Sequence, residues 1–99
     1  MPVFNRLSAV RDERITVAAT AIGITPALWL TTPIAQTAHA FVETAAIRWL
    51  ANGTTPTATT GISAFPGTKI ELHNPNEIQN FLAIRQGTAS ATLQVELHA

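Results

Sequence analysis

The chain has 99 residues, enough for one domain around one core and too few for two ordinary ones. Six basic residues balance six acidic ones, with no run of either sign beyond the mixed stretch Arg11 to Arg14, which argues against a surface that tracks nucleic-acid phosphates. There is no cysteine, so neither a disulfide framework nor a thiolate metal cluster can staple the fold.

In residues 1–14, Val3, Phe4, Leu7 and Val10 are spaced to make one stripe on a short helix, and an extended arm fits them equally well. From Ile15 to Thr25 nearly every residue is small, β-branched or aliphatic, which predicts a strand buried on both faces. The apolar stretch from Ile15 to Leu30 is broken by Thr16, Thr20, Gly23, Thr25 and Pro26 and falls short of the roughly 20 residues a spanning helix needs. The charges before it are too mixed for the start of a signal peptide, so a chain made soluble in the cytoplasm, with no membrane partner, is expected. Thr25-Pro26 and Thr32-Pro33 bracket the Trp29 segment, and a residue before proline is pushed out of the helical region. That predicts a loop or a short edge element.

His39 to Leu50 reads as a strand pair or one bent strand, with Ile47 and Trp49 on one face and Arg48 and Leu50 on the other. Asn52-Gly53 ends it with residues that tolerate positive φ. Residues 54–61 form a threonine-rich connection, expected to be exposed and ordered, with Pro56 near its start. Phe65-Pro66-Gly67 marks a turn, after which Lys69 to His73 alternates with Ile70 and Leu72 inward. Asn74 and Pro75 suit the cap and first position of a single helical turn carrying Ile78. A strand over Phe81 to Gln86, a turn over Gly87 to Ser90 and an alternating strand over Ala91 to His98 close the chain. The sum is an all-β fold, a small β-sandwich or barrel of mainly antiparallel strands: an N-terminal arm or short helix over 1–14, then a single β-sandwich domain over 15–99.

The chemistry-bearing residues are sparse. Glu71-Leu72-His73 and Glu96-Leu97-His98 each place a carboxylate and an imidazole on one strand face, and four metal ligands would converge if those strands were neighbours. The solvent faces of two amphipathic strands account for the same residues without a metal, and no metal or cofactor is expected. Ser8, Ser63 and Ser90 lack the strained elbow of a nucleophilic serine. Gly53, Gly61, Gly67 and Gly87 stand singly at turns and build no phosphate cradle. No enzymatic activity is expected.

Contact surfaces are the better candidates. Only 12% of the residues are charged, against about a quarter in ordinary soluble domains, and low net charge favours association. The residues singled out are Phe4 and Leu7 on the N-terminal arm, Leu28, Trp29 and Leu30 between the two prolines, and Arg48 and Arg85 among apolar strand neighbours. Each arginine either lies outward along the sheet or pairs with Glu43, Glu77 or a neighbouring subunit.

The run Ile47-Arg48-Trp49-Leu50-Ala51-Asn52-Gly53-Thr54-Thr55-Pro56-Thr57-Ala58-Thr59-Thr60-Gly61 resembles the I-R-x-x-x-D-G-T-x-P-T-A-T-x-G core of small virion proteins encoded by tailed bacteriophages. Glu77-Ile78-Gln79-Asn80-Phe81-Leu82-Ala83-Ile84-Arg85 is similar to their E-I-x-N-F-x-A-I-R segment, and Ala89 to Val95 to their closing A-x-x-x-L-x-V strand. The resemblance covers Ala46 to Leu97, about half the chain. Asn52 stands where the pattern usually has Asp; either side chain closes an Asx-type turn before Gly53.

The resemblance implies a β-sandwich structural protein of the virion, made in the host bacterial cytoplasm: a capsid decoration (cement) or head-to-tail accessory subunit. Its expected partners are other virion proteins of capsid, neck or tail, and further copies of itself in a homo-oligomer. It brings no catalytic residues. The turn chemistry is also similar to that of β-sandwich modules appended to carbohydrate-active enzymes, which implies the alternative of a host-surface or carbohydrate-binding module of a phage fibre or spike.

Overall fold

A computed structural model describes residues 8–99 of the chain. In chain order the elements are β1 (Ala9–Val17), α1 (Pro26–Leu30), β2 (Thr37–Glu43), β3 (Ile47–Leu50), β4 (Ile62–Ala64), β5 (Lys69–Leu72), α2 (Pro75–Asn80), β6 (Leu82–Arg85) and β7 (Ala91–His98). Alternation in the sequence becomes alternation in burial, because successive side chains of a strand leave opposite faces. Leu93, Val95 and Leu97 of β7 are fully buried, as are Ala38 and Ala40 of β2.

The strands form two antiparallel sheets, one ordered β1-β7-β2-β5 and the other β4-β3-β6. Their inner faces share one core, to which Ile15, Val42, Ile70, Leu93 and Leu97 come from the first sheet and Ile47, Ala64 and Ala83 from the second. Of the sandwich or barrel expected for an all-β chain, the protein adopts two antiparallel sheets. Ile78 of α2 and the adjoining Phe81 are both 0% exposed, and α2 packs against β2 and β5. No polar or charged residue is buried among the described residues, so the core is built from apolar side chains.

Several sequence readings are corrected. Residues 9–14 belong neither to an arm nor to a helix; they are the first two thirds of β1, which pairs with β7 from Ala9↔His98 to Val17↔Ala91. The boundary between 14 and 15 therefore falls inside a strand. Val10, the one described member of the apolar spacing that suggested a helix, lies in this ladder, at a register shift between Ala9 and Arg11. Phe4 and Leu7 lie outside the described residues.

The strand expected over Ile15 to Thr25 stops at Val17. Residues 18–22 then cross to the second sheet and run beside β6, where Arg85 N donates to Ala18 O at 3.0 Å and Ile22 and Ala83 exchange hydrogen bonds of 2.9 Å. Gly23 follows because the backbones come too close for anything larger: a Cβ there would sit 2.7 Å from the carbonyl oxygen of Phe81.

The Trp29 segment is a short helix, not a loop or strand. Pro26 sits at its start and Thr25 at its cap with φ −55° and ψ 124°, the non-helical conformation a following proline enforces and an N-cap position uses. The Thr32-Pro33 peptide is cis. The candidate bent strand over His39 to Leu50 is two strands in different sheets. They part at Thr44, whose φ of +73° and the Ala45 N to Glu43 O hydrogen bond of 2.9 Å form a three-residue reverse turn.

β5, α2, β6 and β7 follow the sequence reading closely, whereas β4 over Ile62–Ala64, paired with β3, has no counterpart in that reading. Asn74 caps α2, its Oδ1 accepting from Glu77 N at 2.9 Å, while Glu77 Oε1 reaches back to accept from His73 N at 2.6 Å. The two side chains thus satisfy two backbone donors, those of Glu77 and His73, in a variant of the capping box.

Candidate functional site

Three surface regions hold the residues that sequence reasoning pointed to. The first is α1 and the turn after it. The core-facing side of β1 carries Ile15 and Val17 over the core, then changes chemistry toward its start, where Glu13 and Arg11 follow at the same alternation. These two charges clamp α1 at its ends. Glu13 Oε1 accepts from Thr25 N at 3.0 Å and Glu13 Oε2 accepts from the Thr25 hydroxyl. Arg11 Nε donates to Leu28 O at 2.8 Å, and Arg11 Nη2 donates to Thr31 O at 3.1 Å and to Pro33 O at 2.5 Å. A helix of five residues cannot hold itself in water; carbonyls left free at its C-terminus are taken up by the guanidinium fork.

The clamp decides the roles of the apolar residues in this segment. Leu28 and Trp29 are partly buried against the core, and the Trp29 indole donates to Ile24 O at 3.2 Å. Trp29 is thus chiefly a packing residue, with one edge on a shallow groove of about 390 Å³ shared with Ile22, Pro26, Gln79 and Leu82. Leu30 turns the other way and is 64% exposed, and Ile34 is 43% exposed.

The second region is the connection from Asn52 to Gly61. Asn52 Oδ1 accepts from Thr54 N at 3.0 Å, and Gly53 has φ +90°. Thr57 and Thr60 bridge each other through backbone bonds of 2.9 and 3.2 Å. Arg48 reaches under the loop, Nε donating to Ala58 O at 3.0 Å and Nη1 to Gly61 O at 2.9 Å. Neither Glu43 nor Glu77 is its partner: Glu43 pairs with Arg14 at 3.1 Å, and Glu77 is engaged at α2. Within the chain, pairing of Arg48 with Glu43 or Glu77 gives way to a loop anchor. Pro56 is fully buried and Gly61, at φ +125°, lies so close to Pro56 and Trp49 O that a Cβ would stand 3.2 Å from each. The loop is ordered as expected. Arg85, half-buried on β6, has no side-chain partner among the described residues.

The third region is the outer face of the four-stranded sheet. Arg14 Nη1 donates to Gln94 Oε1 at 3.3 Å and Gln94 Nε2 to Asp12 Oδ2 at 3.4 Å. One step along, Glu96 faces Asp12 on one side and His39 on the other, and Glu71 follows beyond His39. The two Glu-Leu-His strands do not meet, because β2 runs between β7 and β5. His39, which sequence reasoning passed over, takes that place: the donor atoms of His39, Glu96 and His98 lie within 4.8 Å of one another. A pattern of Glu and His at i, i+2 could not reveal which strand lay next door. Glu71 is held below the usual carboxylate range, first by its hydrogen bond to Lys69 and then by the Lys69 charge.

Ser63 Oγ donates to Gln86 Oε1 at 2.6 Å, and no serine among the described residues hydrogen-bonds a histidine. Known protein families, curated proteins and solved structures offer no match to this chain. The reading of its surfaces therefore rests on their chemistry and on the resemblance carried by the motif residues. Those residues do structural work here: Arg48 and Gly61 fix the loop, Glu77 caps α2, and Ile78, Phe81 and Ala83 are 0% exposed.

Proposed function

We propose that the protein is a structural subunit of a tailed-bacteriophage virion, a capsid decoration or head-to-tail accessory protein that acts through protein–protein contacts and performs no catalysis. The observation that carries this reading is the pairing of exposed apolar side chains with rigid supports. Leu30 and Ile34 stand 64% and 43% exposed on a segment clamped by Glu13 and Arg11, and Ile62, 52% exposed, directly follows the loop that Arg48 anchors, while Phe65, 61% exposed, stands at the other end of β4 in the turn hydrogen-bonded to Val42. Pre-ordered apolar contacts lose little entropy on docking, and a neutral surface lets many copies sit side by side without mutual repulsion. The likeness of residues 46–97 to small virion proteins supports the same reading.

The test is the composition of particles banded in a density gradient from cells making the protein. Peptide mass spectrometry is expected to find this chain at a fixed copy number relative to the capsid protein. Recovery of the chain only in the soluble fraction, with none on particles, overturns the proposal.

A further inference from the structure

We propose that His39, Glu96 and His98 bind a divalent transition metal of the zinc type. The three side chains rise from adjacent strands, β2 and β7, on the face turned away from the core. Register sets Glu96 directly opposite His39 and His98 opposite Thr37, so His98 lies one diagonal step from His39, within reach for long side chains. His98 Nε2 and Glu96 Oε1 are 2.8 Å apart, the two imidazole rings meet edge-on with centroids 4.7 Å apart, and all three donors fall within 4.8 Å. Zinc holds histidine and carboxylate ligands at about 2.0 to 2.2 Å, which places tetrahedral donors roughly 3.3 Å from one another. Side-chain rotation of His39 and of the exposed Glu96 closes that difference without moving a strand.

Outward polar residues explain a carboxylate and an imidazole two apart on one strand. They do not explain why a second imidazole arrives from the neighbouring strand at the same spot, so that two of the three histidines in the chain converge. The His98 side chain is only 13% exposed; packing sets its ring position before any ion arrives, as a preorganised ligand requires. Asp12 beyond Glu96 and Glu71 beyond His39 flank the cluster with negative charge, while the 3.2 Å ion pair of Glu71 with Lys69 occupies that carboxylate. Two imidazoles and one carboxylate select zinc, nickel or copper over magnesium or calcium. Three protein ligands leave a fourth tetrahedral position facing solvent. The ion would tie the two inner strands of the sheet together, and binding to the native state alone raises its stability. This site stands independently of the virion reading.

The experiment is titration of the chelator-treated full chain with zinc chloride alone at pH 7.5, followed by calorimetry and thermal melting. One equivalent is expected to bind, raising Tm by at least about 5 °C at 100-fold excess over the dissociation constant, with magnesium giving no shift. His39→Gln and Glu96→Gln are expected to weaken zinc binding at least about tenfold, and His73→Gln to leave it unchanged. Because changes at His98 touch packing, the unmutated chain supplies a second readout: ring nitrogen resonances of His39 and His98, and not of His73, shift on zinc addition. Absence of saturable binding, His39→Gln binding as tightly as the parent, or movement of the His73 resonances in place of the other two overturns the site.

Discussion

Thr44 is a β-branched residue at φ +73°, a conformation that crowds its side chain and costs of order 1 to 3 kcal/mol. Thr44→Gly is expected to stabilise the protein by about 0.5 to 1 kcal/mol, since relief of that strain exceeds the added freedom of the unfolded chain; a urea midpoint shifted upward at constant slope checks it. Gly23 is the opposite case. A methyl group there meets the Phe81 carbonyl oxygen at 2.7 Å, and backbone cannot yield as a side-chain tip can, so Gly23→Ala is expected to cost about 2 to 3 kcal/mol in the same measurement. Glu71 shows how local the surface electrostatics are. Lys69 lowers its pKa in the folded chain, so the stability this pair contributes is present above the unfolded carboxylate value and is lost as pH falls through the lower folded one. Lys69→Met is expected to return the Glu71 carboxyl toward its ordinary range, read by its carbon resonance across a pH titration; an unchanged midpoint would show that Lys69 is not the cause.

At the scale of elements, the clamp on α1 makes the strongest demand. Removing the Arg11 guanidinium leaves the carbonyls of Leu28, Thr31 and Pro33 without their donor. Arg11→Met, which keeps most of the apolar stem, is expected to cost about 1 to 3 kcal/mol and to speed amide exchange in residues 26–34 while β7 stays protected. Uniform loss of protection would mean that α1 is not an independently held element. This clamp was not legible in the sequence. Arg11 and Glu13 read as part of a mixed-charge stretch because their partners lie 12 to 22 residues away, at a distance no local pattern reports. What was legible had local causes. Alternation fixed β5 and β7, Asn74-Pro75 fixed the start of α2, and Asn52-Gly53 and Gly67 marked turns that need positive φ. Where a local signal met pairing across the fold, as at Val10, the ladder with β7 prevailed over residues 9–17. The His39–Glu96–His98 cluster stayed hidden for the same reason as the clamp: strand order, and with it the neighbour of β7, is a property of the whole fold.

At the scale of the molecule, two sheets share a core in which no charged residue is buried among the described residues. The proposed virion role requires that exposed apolar residues can be changed without harming the fold. Leu30→Asp and Phe65→Asp, at 64% and 61% exposure, are each expected to leave stability within about 0.5 kcal/mol of the parent while removing the chain from gradient-purified particles. The most direct measurement of the proposed virion role is an electron cryomicroscopy reconstruction of the particles purified from cells making this chain. The proposal predicts density for the two-sheet domain at a symmetry-related position, with the Leu30–Ile34 segment, the 54–61 loop or Phe65 against a neighbouring subunit; particles bearing no such density, or contacts that leave all three in solvent, would contradict it.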